Sequence, residues 1–119
     1  MLDTFIFRGL MKKKNRILKS EEFTKIIKGH HFYRGKGMVL YVYPRQNDYA
    51  RVGISVKKKT GNAVVRNLCK RQIRMICQET YDFNEEFDSI ILIKEDFIES
   101  NYKNNQITFK KLYKKVKMD

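Results

Sequence analysis

The chain is short of several things, and each shortage excludes something. No run of 18 apolar residues exists, so no segment is expected to span a bilayer. The two cysteines, Cys69 and Cys77, form no CxxC pair, and the histidines His30 and His31 are expected in a solvated turn, so no zinc spacing is present. Eight residues apart on one expected helix, the cysteines would lie about 12 Å apart, beyond the roughly 7 Å a disulfide allows. Both are expected as reduced thiols of a cytosolic protein. The pattern Gly-x-x-x-x-Gly-Lys-Ser/Thr is missing, which excludes a Walker-type phosphate loop. No internal repeat or low-complexity segment occurs. The most informative absence is acid. From Tyr49 to Gln78 there is no Asp or Glu, while eight Lys or Arg fall in the same window.

A length of 119 residues argues for one domain with a single core, and 42% hydrophobic residues is a globular value. The net charge of +13 weakens the compact state and favours a polyanionic partner. Nucleic acid is the first candidate and an anionic membrane surface the second. The opening "MLDTFIFRGL" carries an early acid and no basic leader, which makes it a poor signal peptide and leaves the cytoplasm as the expected location. Residues 1–10 read as a disordered extension, and residues 11–119 as one nucleic-acid-binding domain.

"MKKKNRILK" from Met11 reads as a flexible basic arm. Ser20 is placed to cap a short helix with Glu21 and Glu22 in its first turn, Phe23, Ile26 and Ile27 on one face, and Gly29 as its stop. "MVLYVY" reads as a strand with Val39, Tyr41 and Tyr43 on one side and Met38, Leu40 and Val42 on the other, ended by Pro44, the only proline. Arg51 to Val56 reads as its antiparallel hairpin partner. A long helix is expected over about Asn62 to Thr80, an apolar strand over Ser89 to Ile93, a polar loop at "ESNYKNNQ", and a last helix over about Gln106 to Lys117. This order makes the fold α+β, an α/β sandwich with three helices on a small mixed sheet of about four strands.

The long helix carries the signal. With Arg66 at 0°, Lys70, Arg74, Asn67 and Arg71 fall within an arc of about 140°, opposite an apolar arc from Leu68 to Ile73. Solvated helix faces mix signs, because Glu–Lys pairs at i, i+4 stabilise and like charges destabilise. Like charges without an acid call for a binding partner that offsets the repulsion, and a phosphate backbone does so. The preceding loop adds Lys57, Lys58 and Lys59, and Asn62 is placed to cap the helix, whose N-terminal N–H groups suit phosphate.

"GNAVVRNLCKRQIR" resembles the signature of the bacterial ribonuclease P protein component, Gly-Asn-Ala-Val-x-Arg-Asn-Arg-x-Lys-Arg-x-x-Arg. The match takes in Gly61 to Val64, Arg66, Asn67, Lys70, Arg71 and Arg74. The similarity extends over about Met11 to Val116, including "RVGISVKKK" and the arm "KKKNRILKSEEF". Leu68 departs from the pattern, which usually has Arg there. The resemblance implies a fold like the second domain of a small-subunit ribosomal protein, with a left-handed crossover. It also implies a partnership, one protein per catalytic RNA, in which ribonuclease P RNA and its magnesium remove the 5′ leader of precursor tRNA. RNA contacts are then expected from Lys12, Lys13, Lys14, Arg16, Lys57, Lys58, Lys59, Asn62, Arg66, Asn67, Lys70, Arg71 and Arg74. Stacking faces and cations grip single-stranded RNA, so a leader cleft is sought at Phe23, Ile27, Tyr41 and Tyr43. No catalytic or metal-ligating residue and no membrane are expected.

Two other classes compete. A ribosomal-type RNA-binding protein would share charge and fold but need no aromatic cleft. A metal nuclease would need clustered carboxylates, for which Glu95 and Asp96 are the nearest candidates. The first ten residues generate one prediction. A chain beginning at Met11 should keep its melting temperature and its affinity for precursor tRNA; a drop of several degrees, read by circular dichroism, would give the segment a structural place.

Overall fold

The computed structural model describes residues 13–119; the extension expected over residues 1–10, and Lys12, lie outside them. Four strands form one sheet in the order β1-β2-β4-β3. They are β1 (Phe32–Gly35), β2 (Met38–Pro44), β3 (Val52–Val56) and β4 (Phe87–Ile93). Four α-helices are described: α1 (Ser20–Lys28), α2 (Ala63–Thr80), the single turn α3 (Asp96–Glu99) and α4 (Tyr102–Met118).

β4 is the centre. It pairs antiparallel with β2 and parallel with β3, and its Ser89, Ile90, Ile91 and Ile93 are buried. Burying an isoleucine completely is worth about 1.5–3 kcal/mol, so this strand organises both layers. Met38, Leu40, Val42, Ile91 and Ile93 form the main core with Ile73, Ile76 and Cys77 of α2 and Phe109 and Leu112 of α4. On the opposite face Ile90, Ile17 and Ile26 form a smaller cluster, over which Phe23, Tyr41 and Tyr43 pack. The period-2 reading of Met38 to Tyr43 therefore holds on both faces.

Several expectations change. The strands at 38–44 and 52–56 are not hairpin partners, because β4 lies between them. The hairpin is β1–β2, with Phe32 opposite Tyr41 and Gly35 opposite Met38. Helix α1 is capped at Lys19 without a side-chain hydrogen bond, so Ser20 is its first residue rather than its cap. Gly29 ends that helix in a right-handed conformation, and it is His30 that takes a positive φ of 55°. The loop expected at 99–106 is largely helix, since Asn101 Oδ1 accepts the Asn104 N–H at 2.8 Å and starts α4 at Tyr102. The arm is tied down from Asn15 onward. Asn15 Nδ2 donates to the Ala50 carbonyl at 3.0 Å, and the Ile17 N–H to the Val52 carbonyl at 3.0 Å. Cys69 and Cys77 are buried free thiols, as expected of the helix spacing.

The β1–β2 turn rests on Gly37, whose φ is +79°. A Cβ there would stand 2.7 Å from the Phe97 backbone nitrogen and 2.9 Å from its Cα. Backbone on backbone has little room to yield. Gly37→Ala should destabilise the fold by about 1–3 kcal/mol in urea unfolding; an unmoved midpoint would mean that the turn has slack.

Candidate nucleic-acid interface

The motif helix starts as its sequence dictates. Asn62 is extended and its Oδ1 accepts the Val65 N–H at 3.0 Å, fixing the first turn of α2. Lys57, Lys58 and Lys59, all exposed, precede it, with a 3-10 turn over Lys58–Thr60.

The helix sits rotated from the expected angle. Its buried residues are Cys69, Ile73, Ile76 and Cys77. Cys77, about 20° from Arg66 on the helical wheel, lies inside the expected cationic arc. Arg66, Lys70 and Arg74 are consequently half-buried, while Asn67 and Arg71 are exposed. Leu68 is half exposed, where an edge of the apolar arc was expected.

That rotation brings cations together. Lys70 and Arg74 line a depression of about 200 Å³ with Arg16, Ile17, Leu18, Phe23, Val52 and Ile54. Burial, and then the neighbouring Arg16 charge, lower the pKa of the Arg74 guanidinium below its ordinary value. Among the described residues no carboxylate pairs with Arg74. Lys14 is exposed, its Nζ 4.8 Å above the Tyr49 ring, and shares a second depression of about 510 Å³ with Arg16, Leu18 and Arg51. Lys13 opens the described chain in a 3-10 turn.

On the α1 side of the sheet, Phe23, Ile27, Tyr41 and Tyr43 are each half-buried. Three of them share the small cluster, and Ile27 stands one position beyond Ile26. Phe23 is seated over Gly53, where a Cβ would meet its ring at 2.7 Å. Three residues of this surface escaped the sequence reading. Phe32 lies 5.5 Å from the Tyr41 ring, with the Arg34 guanidinium 5.3 Å from Phe32, and Lys25 Nζ is 5.3 Å from the Tyr43 ring. Finding Phe32 and Arg34 required β1. The one signal was the short, Gly-containing Lys36–Gly37 link ahead of the strand at Met38.

The acids are engaged elsewhere. Glu22 and Asp88 bind Arg51 at 2.6 and 3.1 Å, and Glu85 binds Lys117 at 2.9 Å. Glu95 and Asp96 are exposed neighbours at the start of α3. Among the described residues no three His, Cys, Asp or Glu side chains converge to hold a metal.

Cationic helix, basic arm and cation-flanked aromatic sheet together define a basic α+β RNA-binding protein. The sequence model of the family Ribonuclease P matches residues 11–117. The chain belongs to the bacterial ribonuclease P protein component family. It is similar to the ribonuclease P protein component of Mesoplasma florum, 40% identical over 86% of this chain and 94% of that one. The Bacillus pumilus protein is 36% identical over 88% of this chain and 90% of its own length. A solved mutant RNase P protein from Staphylococcus aureus superposes with a TM-score of 0.81 at 32% identity, covering 94% of this chain and 96% of that chain. The chain is thus the protein subunit of a ribonucleoprotein endoribonuclease of tRNA 5′ maturation, associated with ribonuclease P RNA, with catalysis in the RNA. The nuclease and ribosomal-type readings fall with that assignment.

The motif face makes a measurable prediction. Arg71→Ala and Arg66→Ala should weaken RNA binding while leaving the fold intact. Each lost phosphate contact lowers the slope of log affinity against log salt by roughly 0.7–0.9. Two mutants indistinguishable from wild type at every salt concentration would remove this face from the RNA site.

Proposed function

We propose that one copy of this chain docks on ribonuclease P RNA through the α2 face, the Lys57–Lys59 loop and the basic arm, and holds the 5′ leader of precursor tRNA along the α1 side of the sheet. The observation that carries this reading is the junction at Phe23, which belongs both to the aromatic cluster and to the depression containing Lys70 and Arg74. A strand lying on Tyr41 and Phe23 therefore runs directly into cations suited to its phosphates. Rings for bases and cations for the backbone are the two requirements of single-strand binding. Ile27 supplies contact area to such a strand but no π face.

This reading assigns the magnesium to the RNA. When bound there, it supplies the activated water and charge neutralisation of phosphodiester hydrolysis. This chain's own residues place and neutralise the substrate strand. No helix among the described residues is long and apolar enough to cross a membrane. The reading sets the protein in the cytoplasm, as a monomer with one RNA.

Two measurements test it. In cleavage assays at low magnesium the protein alone should cut nothing, while protein and RNA together should outperform RNA alone, with Glu95→Ala and Asp96→Ala unchanged. In binding assays Tyr41→Ala should cost the holoenzyme about 1–3 kcal/mol for precursor tRNA, roughly 5- to 150-fold in affinity, and little for mature tRNA, which has no leader. Equal losses on both substrates, or a melted protein, would return Tyr41 to a packing role.

A further inference from the structure

Helix α4 carries a second polycation that neither the motif nor the cleft uses. Between Tyr102 and Met118 stand six lysines and no acid. Lys103, Lys110, Lys111, Lys114, Lys115 and Lys117 are all exposed. With Lys103 at 0°, they occupy an arc from about 320° through 0° to about 120°. The buried Asn105, Phe109 and Leu112 and half-buried Val116 lie opposite, between about 180° and about 240°. The lysines run the length of the helix, about 21 Å from Lys103 to Lys117.

Ordinary solvation explains this face poorly. Lys110 and Lys114, Lys111 and Lys115, and Lys114 and Lys117 are like charges at i, i+4 or i, i+3, which destabilise a helix. The helix dipole favours the cations of the last turn, but Lys103 sits at the N-terminal end, where a cation is disfavoured. Neighbouring acids do little to neutralise the face. Glu79 is taken by Tyr102 Oη at 2.9 Å and Gln106 Nε2 at 2.8 Å, and Asp119 by Tyr33 Oη. Among the described residues Lys117, bound to Glu85 at 2.9 Å, is the one lysine of the six in an ion pair.

We infer that the lysine face of α4 is a second docking surface for ribonuclease P RNA, reading phosphate backbone rather than sequence. Charge complementarity selects a polyanion. The composition selects the mode, since the cations of the motif helix include Arg66, Arg71 and Arg74, whereas those of α4 are all lysines. Lysine ammoniums are point charges that meet phosphates without the bidentate geometry of arginine. Position selects the RNA. α4 packs on β1 and β2 and α2 on β3, side by side on one face of the sheet and touching each other, while the proposed leader cleft lies on the other face. The subunit then bridges two segments of the catalytic RNA. A membrane fits less well, because α4 turns its apolar stripe into the core and exposes only Ile107 and Met118 beside the lysines.

The test replaces four unpaired lysines together, K103Q/K110Q/K111Q/K114Q, with a four-arginine version at the same positions as the charge-preserving control. Affinity for refolded ribonuclease P RNA is measured across potassium chloride concentrations, and hydroxyl-radical footprints are taken with wild type, the glutamine variant and R66A/R71A. The expected result is a salt slope lower by about 3 for the glutamine variant. It should also lose protections in an RNA segment distinct from those lost by R66A/R71A, with both properties kept in the arginine version. This holds even if R66A/R71A proves silent, which would sink the motif-face reading alone. An unchanged slope and footprint overturn the inference, as does loss of the same protections as R66A/R71A, which would mark a general charge effect. A loss confined to precursor tRNA binding by the holoenzyme would give the face to the substrate. Lysine-dependent binding to phosphatidylserine vesicles with RNA affinity intact would give it to a membrane. Either would also overturn the inference.

Discussion

A carboxylate with no access to water stands at the start of the central strand. Asp88 accepts the Arg51 backbone N–H at 2.9 Å through one oxygen and the Arg51 guanidinium at 3.1 Å through the other. Arg51 also reaches Glu22 at 2.6 Å. The Glu22 hydrogen bond leads, with Asp88 adding to it, in raising the Arg51 pKa against the opposing effect of burial. Three separate pieces of chain meet here: the first turn of α1, the entry to β3 and the start of β4. Breaking one partner of a buried pair typically costs about 3–5 kcal/mol, because the other charge is left stranded. The buried Arg51–Asp88 pair reaches α1 through the part-exposed Glu22, and Phe23 follows Glu22 directly. The aromatic wall of the proposed cleft is tied to this ion network through Glu22, and Gly53 leaves the space into which the Phe23 ring settles.

This arrangement divides the charges by use. The acids that act structurally are spent within the protein: Asp88 and Glu22 on Arg51, Glu85 on Lys117 and Tyr113, and Glu79 on Tyr102 and Gln106. The cations of α2 and α4 are left facing outward with little compensation, although like charges on one helix face cost stability. The fold tolerates this because each helix is pinned by packing rather than by its surface. Ile73, Ile76 and Cys77 on α2, and Phe109 and Leu112 on α4, enter one core. Apolar burial bears the repulsion until a polyanion relieves it.

The sequence exposed this logic unevenly. The α2 helix, its Asn62 cap and the two-faced strand at 38–44 were legible because hydrophobic period and capping chemistry are local. The partner of that strand was not. A short connection argues for a hairpin, yet β4, more than 30 residues later in the chain, inserts between the two strands because its apolar residues need cover on both faces. β1 escaped because its Tyr33 and Gly35 turn toward α4, where Gly35 lies under Thr108 and Leu112, and so supply little hydrophobic pattern. The missing first turn of α4 lay in a polar stretch whose one structural cue was Asn101. Among the site residues, the motif named its members, but geometry decided which were recessed. Arg66, Lys70 and Arg74 became half-buried through a rotation that the burial of Cys77 imposes and that helical periodicity alone had placed differently.

Leu68 shows what that rotation means for the motif. At a position where the family pattern usually has arginine, a leucine directed into the core would be a structural substitution with no bearing on RNA. Here it points outward, half exposed, one turn from Val64, which is 67% exposed, and one turn before the exposed Arg71. A half-exposed leucine contributes little to the core, so the departure from the pattern falls on the proposed binding face. It removes one cation from a row that otherwise follows the pattern and replaces it with an apolar contact. On the proposed reading the electrostatic share of RNA binding then rests on Arg66, Lys70, Arg71 and Arg74 and on cations elsewhere on the surface. A chain of net charge +13 with six exposed lysines on its last helix carries positive charge well beyond the motif.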